Sequence, residues 1–153
     1  AGGRRVLSTG STMFPIALGA GDISGRTLQD DDVAGISDLY PDGGFATKTG
    51  SISGTVTRNG QGLYGAHVVA VEVRTGKMVG NFSLTTSGSF TIAGLRPGPH
   101  LLRVEPIDDA DVESFFDSTD PTDINFRVAY YERLVTVPKG GDRGAVAVKV
   151  VSK

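Results

Sequence analysis

A mainly β fold follows from three features of the sequence: apolar residues that alternate from residue 50 onward, turn-forming dipeptides spaced between them, and a wealth of Gly and β-branched residues. Together they predict a seven-stranded antiparallel β-sandwich over residues 50–153. A turn and one short helix within residues 1–41 precede it, and residues 42–49 form the linker. About 100 residues are enough to bury a sandwich core.

In chain order, residues 1–12 are rich in Gly, Ser and Arg and read as loop, and Ala1-Gly2-Gly3-Arg4-Arg5 reads as a cleaved or trimmed end. Met13-Phe14-Pro15-Ile16 is an apolar turn, because Pro15 disfavours helix at Phe14. Gly19, Gly21 and Gly25 mark a connector. A helix is predicted from about Asp30 to Leu39, opened by Asp30, Asp31 and Asp32, which complement the positive end of its dipole. Val33, Ile36 and Tyr40, with Leu39 beside them, form one apolar stripe, and Pro41 and Gly43 stop the helix.

The period then changes to two. Ile52 and Val56 share a face with Gly54, and Asn59-Gly60 signals a turn. Val69, Val71 and Val73 share a face and lead into the hairpin connection Arg74-Thr75-Gly76-Lys77. Phe82 with Leu84, Phe90 with Ile92, and Leu102 with Val104 mark three more strands, with a sharp corner at Leu95-Arg96-Pro97-Gly98-Pro99. Phe126, Val128 and Tyr130 alternate into Val135 and Val137, and Pro138 to Asp142 turns the chain into a last strand with Val146, Val148 and Val150.

Composition narrows the function classes. The net charge of −2 provides no basic footprint for nucleic acid and no polybasic membrane patch. No apolar run approaches a membrane span, so neither nucleic acid nor membrane is expected as a partner. Without cysteine, disulfide frameworks and thiolate metal sites are excluded. His67, in a predicted strand, and His100, at a strand start, stand far apart and read as structural or surface residues. There is no Gly-x-Ser-x-Gly elbow and no phosphate-binding loop. The acidic run Asp108, Asp109, Asp111, Glu113, Asp117, Asp120 and Asp123 lacks the order of a calcium loop and reads as a solvated loop pinned by Phe115 or Phe116.

Thr12-Met13-Phe14-Pro15, followed by Arg26-Thr27-Leu28-Gln29-Asp30-Asp31-Asp32-Val33-Ala34-Gly35-Ile36-Ser37-Asp38-Leu39-Tyr40-Pro41, resembles the end of a matrixin-type (metzincin) zinc metalloprotease catalytic domain. The resemblance covers residues 11–41. It implies that Met13 is the Met-turn residue, that Phe14 and Pro15 belong to the specificity wall, and that Asp31 and Asp32 anchor the last helix. Ala17 stands where many members carry an aromatic residue, and Gln29 replaces the usual Ser cap. A matrixin also needs His-Glu-x-x-His-x-x-Gly-x-x-His, with three histidines on zinc and the Glu as general base. That element is absent, so no cofactor and no catalytic residue is assigned to this chain, and zinc belongs to the presumed parent.

Gly50-Ser51-Ile52-Ser53-Gly54-Thr55-Val56, Gly62-Leu63-Tyr64-Gly65-Ala66-His67-Val68 and Gly88-Ser89-Phe90-Thr91-Ile92-Ala93-Gly94-Leu95-Arg96-Pro97-Gly98-Pro99-His100 are similar to the carboxypeptidase regulatory-like family. That similarity implies a transthyretin-like sandwich in an accessory role, with Leu95 plugging the core. The two resemblances imply the C-terminal portion of a secreted, extracellular bacterial zinc metalloendopeptidase acting on protein or peptide, itself inactive as given. The rival expectation is a non-enzymatic extracellular structural or adhesion subunit. The helix stripe is expected either to dock on the sandwich or to pack on another copy through residues 1–41, giving a homo-oligomer or filament.

Overall fold

The computed structural model describes residues 27–107, 112, 116 and 119–153. Two helices, α1 (Asp30–Leu39) and α2 (Phe45–Lys48), lead into β1 (Gly50–Arg58), β2 (Gln61–Gly62), β3 (His67–Glu72), β4 (Met78–Phe82), β5 (Ser89–Leu95), β6 (Gly98–Glu105), β7 (Ala129–Tyr130), β8 (Val135–Val137) and β9 (Asp142–Val150). Helix α2 occupies the segment read as linker.

The strands make two sheets facing each other across one core. In the first sheet β1 is the hub, paired antiparallel with β5 and β2 and parallel with β9. In the second sheet β3 pairs with β4 and β6, and the far edge of β6 is shared by β7 and β8, all antiparallel. Inward positions fill the core as a period of two requires. Ile52, Val56, Phe90, Ile92 and Leu95 point in from one sheet, Val68, Ala70, Leu102 and Val104 from the other, with Phe126 fully buried among them.

Three expectations need correction. The sandwich is not wholly antiparallel: residues 138–141 carry the chain from the second sheet to the first instead of folding it back, so β9 enters alongside β1 in the same direction. Nine strand segments replace seven among the described residues. Asn59 (φ 52°) and Gly60 (φ 81°) form a tight hairpin turn that adds β2. The run from Phe126 to Val137 divides around a bend at 131–134, where Tyr131 N–H donates to the Leu102 carbonyl. The third correction concerns faces. Val68 and Ala70 face the core, which leaves Val69 and Val71 on the outer side of the second sheet and Val73 exposed beyond β3. Leu84 likewise lies past the end of β4 and is exposed.

Helix α1 lies across one open side of the sandwich, where β4 and β5, an edge strand of each sheet, come together. Covering unpaired edges is a common protection of β-sheets. The expected stripe does not make this contact: Val33, Ile36, Leu39 and Tyr40 are 50, 42, 72 and 78 % exposed, whereas Asp32 and Ala34 are buried. The reason is steric and polar. Gly94, at φ 72°, admits Ala34 so closely that a Cβ on residue 94 would sit 3.0 Å from the Ala34 Cβ. Asp31 meanwhile reaches the β4 backbone, and those two contacts set the rotation of the helix.

The parallel β1–β9 contact makes a test of the fold. A Cβ on Gly54 would lie 1.9 Å from the Val146 carbonyl oxygen, a backbone atom that has nowhere to retreat. Gly54→Ala is expected to cost at least roughly 1–3 kcal/mol in denaturant unfolding. Gly35→Ala, on α1 with nothing within 4 Å, is expected to stabilise by up to about 1 kcal/mol. Equal effects of the two substitutions would contradict the packing described.

Candidate functional site

Three short-range contacts order the start of α1, two of them reaching the sandwich. At its N-terminus the Gln29 N–H donates to Asp32 Oδ2 at 2.8 Å, the third helical residue reaching back to the N-cap backbone as in a capping box. Asp31 Oδ1 accepts the Gly80 N–H of β4 at 2.8 Å. Asp30 Oδ1 meets Lys77 Nζ at 2.5 Å across the same junction. Each aspartate of the opening triplet thus has a separate contact, two of them on the sheet edge.

Beneath the helix these contacts leave a cleft of about 270 Å³. Val33, Ala34, Phe45, Val79 and Leu95 form its apolar walls, and Ser37, Thr49, Glu72 and His100 its polar surface, with Asp30, Lys77 and Arg96 also lining it. Glu72 and His100 face each other as register partners on β3 and β6 and are only 4 % and 2 % exposed. Glu72 Oε2 accepts from the Thr75 hydroxyl at 2.6 Å. His100 Nδ1 lies 3.0 Å from the Gly98 carbonyl, which can only accept, so that ring nitrogen carries the hydrogen. The Thr49 hydroxyl donates to the Phe45 carbonyl at 2.7 Å.

The opposite end of the same strand pair carries a second buried polar group on the opposite sheet face. His67 Nδ1 stands 3.2 Å from Glu105 Oε1, and Arg103 meets the other Glu105 oxygen at 2.6 Å. The Phe82 ring lies 5.0 Å from the His67 ring, and Phe116 packs edge-on against both Phe82 and Tyr64. Phe116 is buried in this aromatic cluster. Asp123 pairs with Arg58, which also donates to the Asn125 carbonyl at 2.7 Å. Asp108, Asp109, Asp111, Glu113 and Asp117 lie outside the described residues, as do Met13, Phe14 and Pro15. Among the described residues no three His, Cys, Asp or Glu side chains converge as a metal site.

Of the residues singled out from sequence, Asp31 and Asp32 are brought together at the helix–sheet junction, while His67 and His100 occupy different sites. The cleft itself escaped the sequence reading. Its signal was present: Glu72 continues the inward series Val68, Ala70, and His100 continues the inward series Val104, Leu102, so two ionisable groups occupy core-facing positions. Compared with known proteins, the chain matches no family model and no curated protein.

Burial at the junction raises the Asp31 carboxyl above the usual carboxylate range; the Gly80 N–H and His67 oppose the rise, and Asp32 adds to it. The folded state therefore holds the Asp31 proton more tightly than the unfolded chain. Its contribution to stability is greatest below the ordinary carboxyl range and falls as pH rises through the raised value. Asp31→Asn keeps an oxygen acceptor for Gly80 and removes the buried charge. Its melting temperature is expected to match or exceed that of the parent at pH 7, with the advantage shrinking on acidification. Thermal melts of both proteins between pH 3 and 7 check this, and a variant advantage that grows in acid would contradict it.

Proposed function

We propose that this chain is the C-terminal portion of a secreted bacterial zinc-dependent metalloendopeptidase, with the β-sandwich as its accessory domain and α1 as the seam between the two. The observation that carries this reading is the division of labour on α1. The aspartates that the matrixin resemblance singles out face inward and are hydrogen-bonded, Asp32 capping the helix and Asp31 holding Gly80. Most of the apolar stripe of the same motif, Ile36, Leu39 and Tyr40, is left exposed, while Val33 is half-exposed at the edge of the cleft. A last helix shared by two domains needs two such faces, one for each. On this reading the preceding part of the catalytic domain covers the stripe, and peptide hydrolysis uses a metal-activated water held upstream.

The test is to read the coding sequence before Ala1 and to express the longer product. A His-Glu-x-x-His-x-x-Gly-x-x-His element, with chelator-sensitive cleavage of casein, is the expected result. Chain 1–153 by itself is expected to bind no equimolar zinc and to leave casein intact. An upstream region without that element, or zinc-dependent proteolysis by 1–153 alone, sinks the proposal.

The same exposed stripe favours a second reading, a non-enzymatic extracellular subunit that self-associates through residues 1–41. Each large side chain buried between copies contributes roughly 1.5–3 kcal/mol. Sedimentation of 1–153 and of an Ile36→Lys, Leu39→Lys variant separates the two. An oligomer that the double substitution converts to monomer supports self-association; a monomeric parent chain at all concentrations removes it.

A further inference from the structure

We infer that the cleft beneath α1 is a binding site for an alkylammonium group, the chemistry of a lysine side chain on a peptide. The inference holds whether or not the parent is a peptidase, because it rests on the hydrogen-bond inventory of the cleft. The donors of two of its polar groups are already committed to backbone: His100 Nδ1–H to the Gly98 carbonyl and the Thr49 hydroxyl to the Phe45 carbonyl. What remains to a visitor from these groups is the second ring nitrogen of His100, Nε2, and the Thr49 oxygen lone pairs. Glu72 adds the strongest acceptor. Among the described residues its side chain is engaged by Thr75 alone, though it is only 4 % exposed.

A buried carboxyl group with a single hydroxyl partner has acceptor capacity left unmet, and that is costly away from water. The nearby ammonium of Lys77 is held by Asp30, and Arg96 is exposed at the rim, where water and salt screen it. A primary ammonium brings three donors and one positive charge, which matches an acceptor-lined interior. The walls made by Val33, Ala34, Val79 and Leu95 suit a methylene stem. The volume of about 270 Å³ is below that of pockets for drug-sized ligands and admits a single long side chain. Exposed Arg96 is then free to meet a carbonyl of the peptide that carries the lysine.

Two sources share this chemistry, a lysine in a peptide and a free diamine, and the experiment separates them. Isotope-labelled chain 1–153 is titrated, with methyl and amide NMR detection, with Nα-acetyl-lysine methylamide, with the norleucine analogue that lacks the amine, and with cadaverine. The expected result is saturable shifts centred on Val33, Ala34, Val79 and Leu95 with the lysine derivative, and at least about tenfold weaker binding of the norleucine analogue. Glu72→Gln should weaken the lysine derivative by a similar factor. Cadaverine binding more tightly than the lysine derivative would assign the site to free diamines and overturn the peptide assignment. No shifts with either amine, or equal shifts with lysine and norleucine derivatives, would overturn the site itself. If Glu72→Gln does not fold, the lysine-to-norleucine ratio on the unaltered chain makes the same decision.

Discussion

Everything described here hangs on the six antiparallel pairs that join β3 to β6, from His67 opposite Glu105 to Glu72 opposite His100. Side chains alternate along a strand with a period of two, and five positions separate His67 from Glu72. An odd spacing sends the two polar pairs to opposite faces of one sheet. The apolar residues between them, Val68 and Ala70 against Val104 and Leu102, are the centre of the core. One ladder therefore builds the hydrophobic interior and ends in a buried His–Glu pair at each extremity. The outer pair packs against Phe82, which in turn meets Phe116 edge-on, whereas the inner pair opens onto the cleft.

Helix α1 obeys a different constraint. If hydrophobic burial alone decided its rotation, Val33, Ile36 and Leu39 would turn inward, since each is worth roughly 1.5–3 kcal/mol when buried. At Gly94 of β5 the helix backbone comes too close for a side chain on residue 94, and Ala34 sits at that contact. The rotation that brings Ala34 down also delivers Asp31 to the Gly80 N–H, so that this edge-strand donor has an acceptor. Sterics thus select the polar face, and hydrogen bonding holds it. The stripe left outside is a consequence of that choice, and it is why the helix reads as a two-sided element.

The elements with strong local signals were legible in the sequence. Three aspartates before an apolar period, closed by Tyr40-Pro41, mark α1 from Asp30 to Leu39, and Asn59-Gly60 marks its hairpin. Leu95 before the Pro97-Gly98 corner is buried at 2 %, as its place in the motif implied. What local signals could not convey is relative direction and relative distance. Nothing near Val146 says that β9 runs parallel to β1, because direction depends on which sheet the chain crosses to after β8. Nothing within α1 says which face is inward, because Gly94 lies 60 residues away. Polar residues on an otherwise apolar inward series are the exception, since Glu72 and His100 could have been noticed as such.

The cleft exists because two locally sound solutions do not meet. The sandwich ends its inward series with ionisable side chains instead of large apolar ones, so its interior stops short at that side. The helix laid across the gap presents Ala34 and Ser37, residues too small to fill it. Interiors elsewhere in this molecule close around Phe126, Ile52 and Leu102 with almost no exposure. Native cores pack densely, and a void of this size beside a buried carboxyl group forfeits contacts that larger residues at 34 or 37 could make. Ala34 sits against Gly94, whereas Ser37, which also lines the cleft, is only half-buried. A helix that carries small residues over that opening is anchored to the sandwich by two aspartate contacts, Asp31 to Gly80 and Asp30 to Lys77. Fixed shape with uncommitted acceptors is the physical requirement for selecting a cation that carries its own hydrogen-bond donors.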